Sequence, residues 1–425
     1  MIMAIQNLFQ LNFISKVFLL ILIISGNADY FAQEKRFITV AADGSGDFKT
    51  ITAAIRSLPM FNYQRTEIYI KNGRYNEKIK IDQDYITLKG ESREKTILQY
   101  SQLRTDWMEN KDSIGPAVIN LNGDDFILEN MTVENTQPQI GPHAFTIYGT
   151  GTRTIILNSN IISKGGDTVS LWDYKTGMYY HANCYFEGAV DFVCPRGWCF
   201  IRDSKFFELK KTAALWHAGG DNSNQKFVIR NSSFDGVKGF ELGRHHYEAQ
   251  FYLLDCVFSD SMSREPIYRV VYADLSKNRP FNWGSRYYFF NCKNSGENLD
   301  SIKNNLHTTN ELLKPEDITP QWTFDNKWDP ESKEGPKIIS YRIENNSLLF
   351  FFNEKITVID NPILKSGSGE IFHYASGGGS NTIRFLASVP LPGKAPDGLK
   401  IVDGHLIGST AGINTRLANF SKLPF

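Results

Sequence analysis

The stretch Thr154 to Ile161, TIILNSNI, decides the fold because the chain keeps repeating it. FILENMTV, ending at Val133, precedes it. YHANCYF (ending at Phe186), FIRDSKF (Phe206), FVIRNSSF (Phe234) and YLLDCVF (Phe258) follow, with a weaker copy, YYFFNCKN, ending at Asn294. Each copy is a hydrophobic run, then Asn or Asp, then a small or sulfur-bearing residue, then a hydrophobic residue two positions later. The anchors Asn130, Asn158, Asn183, Asp203, Asn231 and Asp255 recur at about one solenoid coil each. Alternation within the copies indicates strands, helical periodicity is largely missing, and strands this short cannot bury an apolar face alone. The pattern predicts an all-β chain whose coils stack into a parallel β-helix. A sandwich of hairpins would show two-residue turns between the copies, and these are not evident.

The repeat also sorts most of the cysteines. Cys184, Cys256 and Cys292 directly follow their anchors, where other copies have Met131, Ser159, Ser204 and Ser232. They are expected to be free thiols stacked into the core as small hydrophobes. Cys194 and Cys199 fall outside that register and could pair with each other across PRGW.

Outside the repeat the texture changes. From Pro336 onward PKIISYRIENNSLLFFFNEKI, TIRFLAS and KIVDGHLIG are short alternating strands separated by turn residues, which predicts a small antiparallel β-sandwich over 336–425, read as an accessory domain. Asn304 to Gly335, with PEDITPQ and DPESKEG, reads as the end of the solenoid plus a linker, giving a solenoid domain of 33–330. At the N-terminus Lys16 precedes the apolar run Val17 to Ser25, and Ala28 and Ala32 are plausible cleavage positions. This predicts a signal peptide over 1–32, hence an exported protein, periplasmic or secreted, with no membrane contact once the signal is removed.

A chain of 425 residues exceeds what one core usually organises, in keeping with two domains. With 46 basic against 46 acidic side chains it lacks the surplus needed to displace counterions from phosphates, which argues against a nucleic-acid partner.

Common hydrolytic signatures are missing. There is no GxSxG elbow, no HExxH and no paired CxxC, and the adjacent His245 and His246 would point in opposite directions on a strand. What remains are two carboxylates at strand-to-turn passages, Asp167 in GGDTVSLW and Asp191 in EGAVDFVCPRG. An aspartate inside AVDFV is costly to bury unless something pairs with it, and Arg244 in FELGRHH is the candidate. An aspartate beside threonine can also simply cap local backbone, a reading that stays open for Asp167.

Taken together these segments resemble the pectin methylesterase family of carbohydrate esterases, across Phe37 to about Pro330. FITVAADGSGDFKTITAAIRSLP and IYIKNGRYNEKI are similar to the family's opening segments. GGDTVSLW, EGAVDFV, ELGR and FFNCKNSG follow in the family's order. The resemblance implies a right-handed parallel β-helix of the pectin-lyase-like kind and no metal or other cofactor. It implies Asp191 as nucleophile on the methyl ester of a galacturonate and Asp167 as general acid and then base. Arg244 would keep Asp191 ionised and oriented.

Several positions depart from the family. His143 and Gly166 stand where it has glutamines that hold the oxyanion, so His143 is expected to act as a donor and Gly166 to open space. His245 and His246 replace a proline and a platform tryptophan. Trp172, Trp216, Tyr247 and Trp283 then become candidate sugar surfaces, with Phe192 and His246 also in the expected cleft. The expected partner is pectin or a pectic oligosaccharide, bound by a monomer. The departures leave room for an esterase on a decorated rhamnogalacturonan, or for a pectin-binding protein without catalysis. A lyase or glycosidase on the same solenoid would need clustered carboxylates for calcium, which are not visible.

Overall fold

Asparagine and aspartate recur because the chain must turn left-handed at the same place in every coil. In the computed structural model all seven anchors, Asn130 to Asn291, have φ between 44° and 58°, a region these residues tolerate because their short side chains bond locally. Those side chains then bond from coil to coil. Asn158 donates to Asn130 at 2.7 Å, Asn183 to Asn158 at 2.9 Å, Asn231 to Asp203 at 2.5 Å and Asn291 to Asp255 at 2.8 Å. The structure describes residues 36–425 apart from 221, 279, 295–301, 310, 392, 394–395, 421–422 and 424–425. The expected signal peptide, and the last two residues of FFNCKNSG, lie outside the described residues.

Each coil runs through three parallel sheets. Sheet A has ten strands from Phe37–Val40 to Arg286–Phe290, sheet B nine from Gly73–Asn76 to Lys293–Asn294, and sheet C eight from Ile79–Ile81 to Ile267–Arg269. The left-handed anchor lies between A and B, and a second turn between B and C. The residue after the anchor points inward, so Met131, Cys184 and Cys256 are in the core and Cys292 packs against it. Ser159, Ser204 and Ser232 are tolerated there because each hydroxyl donates to the carbonyl two residues before it, at 2.6–2.8 Å. On sheet B, Phe186, Phe206, Phe234 and Phe258 stack, with successive ring centres 5.2, 4.3 and 5.6 Å apart. A short helix, Ile51–Arg56, inserts Ile51, Ala54 and Ile55 into the same core beside the first strand, which covers that end of the stack.

Two expectations need correction. Cys194 and Cys199 are free and buried. Cys194 lies on a strand of sheet C, where its thiol contacts Val169 and Ser170, whereas Cys199 lies on a strand of sheet A, so the turn between them separates rather than joins them. The stretch read as a linker is instead packed along the outer face of sheet A. After the last coil Leu306, Ile318, Phe324 and Trp328 cover Tyr252, Val228, Phe200, Tyr180 and Ile155 on successive strands. Lys226 pairs with Asp325 at 2.6 Å, and Arg202 with Glu331 at 2.6 Å.

The C-terminal module is one six-stranded antiparallel sheet. Its strand order is Ile338–Glu344, Ser347–Phe352, Thr382–Ala387, Ile371–Ser376, Ile356–Lys365, Lys400–Gly408. The long strand Ile356–Lys365 shifts register at Asp360 and Asn361, both left-handed, which bends the sheet around Phe350, Phe372, Phe385 and Phe420. Arg65 ties this module to an early coil. Its guanidinium donates to the carbonyls of Ser409 at 2.9 Å and Asp125 at 2.8 Å. Trp328, 5% exposed, donates to the Ala411 carbonyl at 2.8 Å and so joins the returning segment to the same seam. Trp328→Ala is therefore expected to cost about 3–5 kcal/mol, as for other large core truncations, read as a lowered denaturation midpoint.

Candidate active site

The second turn of each coil, between B and C, carries the chemistry. Asp167 and Asp191 occupy the same place in successive coils, each two residues before the paired residues Val169 and Val193. Stacked parallel strands lie about 4.8 Å apart, so equivalence of position makes the two carboxyl groups neighbours. Both residues are left-handed, with φ of 58° and 57°, and so is Val190 at 51°. Among the described residues Val190 is the only β-branched one with positive φ, a strained conformation of the kind that collects at functional sites. It is held from both sides. The Val190 N–H donates to Thr212 Oγ1 at 3.2 Å, the Asp191 N–H to the Ala213 carbonyl at 2.7 Å, and the Asp167 N–H to the Val190 carbonyl at 3.0 Å.

Arg244 lies on the strand Glu241–His245 and reaches Asp191 with a two-point contact, Nε to Oδ1 at 2.8 Å and Nη2 to Oδ2 at 2.6 Å. Its strand neighbour Tyr268 flanks it and donates to Glu241 at 2.6 Å. Burial leaves the Asp191 carboxyl above the usual carboxylate range, and the two bonds from Arg244 oppose that shift without cancelling it. Asp167 has no such partner. Burial, reinforced by the negative charge of Asp191, pushes it up to about 8. One carboxyl thus sits beside a bound cation while its neighbour holds a proton at neutral pH, the separation that assigns different tasks to two acids. A third, Glu208, lies behind this turn, and burial raises it to about 9.

His143 stands one coil before Gly166, the two forming an isolated parallel bridge. Its Nε2 is 3.7 Å from Asp167 Oδ1 and its side chain is half exposed. Burial and the charge of Arg104 depress its pKa, so it carries a single N–H at neutral pH. Gly166 does not open a cavity. Its N–H donates to Pro142 and its carbonyl accepts from Ala144, and a Cβ there would meet the Val190 carbonyl oxygen at 3.1 Å. The expectation that Gly166 serves the substrate is corrected on that ground. Phe192 is corrected too, because it is wholly buried in the solenoid core, its ring 6.4 Å from that of Phe206.

The aromatic candidates divide. Trp172 is half-buried, edge-on to Tyr148 at 5.4 Å. Trp216 pairs in register with Arg244, and His246 sits edge-on to it at 5.7 Å while bonding Tyr272. Burial, with Arg244 close by, lowers His246 to about 4, so it is neutral. His245 faces inward beside Phe251 and Tyr287, as the alternation of a strand requires. Tyr247 is half-buried just beyond that strand, its carbonyl 2.5 Å from His245 Nδ1. Trp283 makes its cation contact with Arg286 at 5.1 Å, in the loop before the last strand of sheet A. Arg196, which the sequence reading passed over, stacks on Trp172 at 3.8 Å. Its signal is the coil spacing, which sets Trp172 and Arg196 one residue beyond the paired Leu171 and Pro195.

A two-point Asp–Arg contact beside a protonated aspartate, at the turn that GGDTVSLW and EGAVDFV build, coincides with what comparison of the whole sequence finds. The pectinesterase family model matches residues 37–238. Over residues 37–238, just under half of its length, the chain is similar to the pectinesterase family. Arg244 lies just beyond the matched residues, on the next coil. Pectinesterase 31 of Arabidopsis thaliana is 32% identical over 167 residues, 37% of this chain and 51% of that one. Probable pectinesterase 49 of the same plant is 31% identical over 38% of this chain and 45% of its own length. The chain thus spans about half the length of these curated pectinesterases. Among solved structures, pectin methylesterase from carrot aligns with a TM-score of 0.55 at 19% identity, over 68% of this chain and 94% of its own. Pectin methylesterase PemA from Erwinia chrysanthemi aligns at 0.54 and 21%, over 69% and 97%. At these identities the structures establish the fold alone, a right-handed parallel β-helix that takes in the matched residues and the coils after them.

Proposed function

We propose that this chain hydrolyses the methyl esters of galacturonate residues in pectin. The observation that carries the reading is the two-point contact of Arg244 with Asp191, one coil from an aspartate whose carboxyl burial and a neighbouring charge push up to about 8. Asp191, ionised, attacks the ester carbonyl carbon. The tetrahedral intermediate collapses to an Asp191 anhydride as Asp167 gives its proton to the departing methoxy oxygen, releasing methanol. Asp167, now a carboxylate, takes a proton from water, which attacks the acyl carbonyl. Collapse of this second tetrahedral intermediate expels Asp191 as a carboxylate, Asp167 keeps the proton taken from water, and the galacturonic acid so formed loses the other water proton to solvent as it ionises. Arg244 orients one oxygen of Asp191 for attack and holds the other.

The reading is tested by methanol release from methylated pectin, with Asp191→Asn as the inactive control. Release of neither methanol nor acetate from any pectin, with binding intact, would leave a pectin-binding protein without catalysis. His143, half exposed beside Asp167 and neutral, is the candidate oxyanion donor in place of a glutamine. His143→Ala is expected to lower turnover about 10–100-fold, the range for loss of one such donor. Unchanged turnover would remove His143 from the mechanism. The apolar run at 17–25 supports export of the enzyme to where pectin is met.

A further inference from the structure

Two donors on the outer face of sheet C have no partner. Arg196 Nε and Trp216 Nε1 are both buried and bond to nothing, although buried polar groups in folded proteins are nearly always satisfied. The Arg196 guanidinium lies 3.8 Å from the centre of the Trp172 ring and 5.3 Å from that of Trp216. Two indoles therefore hold its plane, and among the described residues no carboxylate pairs with it. It stands beside the reacting groups, since Trp216 is the strand neighbour of Arg244. The local charge balance is positive: Asp191 is matched by Arg244, Asp167 is protonated, and Arg104 adds a further cation whose field reaches both Asp167 and His143. A guanidinium fixed on aromatic faces with unspent N–H groups suits a planar, two-oxygen anion.

We propose that Arg196, clamped between Trp172 and Trp216, binds a free carboxylate of the pectic chain next to the ester that Asp191 attacks. The identity of this ligand rests on the reading of the chain as a pectin esterase. A uronate that has already lost its methyl group supplies the anion, and a methyl ester does not, because esterification removes the charge and one of the two equivalent acceptors. What this assigns to the chain is the residue that would make the contact, Arg196.

Titration of trigalacturonate into the whole protein, followed by quenching of tryptophan fluorescence, tests this without any catalytic turnover. A saturable quench that weakens with salt is expected. Arg196→Gln should reduce the affinity about 10–100-fold, the range for one charge-assisted contact. Arg196→Lys, which keeps the charge but not the fork and covers the case of a glutamine variant that fails to fold, should reduce it several-fold. The trimethyl ester is titrated in the Asp191→Asn background, where it is not consumed; there it should bind more weakly than trigalacturonate, and adding Arg196→Gln should weaken the free acid but not the ester. Parent-like affinity for trigalacturonate in a folded Arg196 variant, or equal losses for the free acid and its ester, would overturn the assignment. Absence of methanol release from any pectin would count against the esterase reading alone and leave this titration as the measure of the carboxylate site.

Discussion

Asp191→Asn should release methanol from methylated pectin at no more than about 10⁻⁴ of the parent rate, the scale on which removal of a nucleophile is felt. The amide has nearly the shape of the carboxylate, so the strained Val190–Asp191 turn and its bond to Ala213 can persist. It lacks the charge and the second acceptor oxygen. Arg244 keeps one of its two bonds, and its side chain is 27% exposed, so the stability cost should be about 1–2 kcal/mol rather than the 3–5 kcal/mol of a wholly orphaned buried charge. Methanol release measured beside a denaturation curve separates these effects. A variant with more than about a hundredth of the parent rate and an intact fold would take the nucleophile's role away from Asp191.

Asp167→Asn carries the second large effect, and its signature lies in pH. In the parent, ester hydrolysis should fall as pH rises through about 8, where Asp167 loses the proton it must give to methanol. It should fall again in acid, as Asp191 is protonated. The asparagine variant should lose about 10²–10⁴ in kcat and with it the alkaline limb. Stability responds with a definite sign. Asp167 has its pKa raised on folding, so its contribution is fully present below about pH 4 and is lost as pH climbs toward 8, where the cost of holding a buried charge is complete. The parent should therefore lose up to about 5 kcal/mol from this group across that window, and Asp167→Asn should flatten that part of the profile. An alkaline limb surviving in the variant would mean that another group, such as Glu208, sets it.

Much of this was legible in the sequence because the solenoid writes its geometry at fixed places. A left-handed corner once per coil selects Asn or Asp, so Asn130 through Asp255 announced the coils before any strand was assigned. Asp191 stood out for a similar reason, being a carboxylate where the repeat otherwise demands a core residue. What stayed hidden depends on contacts between coils. Arg196 is unremarkable in CPRGW, and its clamp exists only once coil length sets Trp172 and Trp216 on either side. Phe192 was misread because proximity along the chain to Asp191 says nothing about face, and the next residue after a turn can point straight into the core. The segment with PEDITPQ looked like a linker because its apolar residues, Leu306, Ile318, Phe324 and Trp328, are too widely spaced to show a period, yet each meets a different strand of sheet A.

That returning segment changes how the molecule should come apart. A linear stack of coils has only nearest-neighbour bonds and can fray from either tip by degrees. Here the polypeptide doubles back across the coils and is fastened by Arg65, Asp125 and Trp328 near the opposite tip. Loosening the last coil drags on the first ones. Unfolding of 37–425 should then be a single concerted event, and its steepness in denaturant should match the surface of the whole assembly rather than that of a few coils.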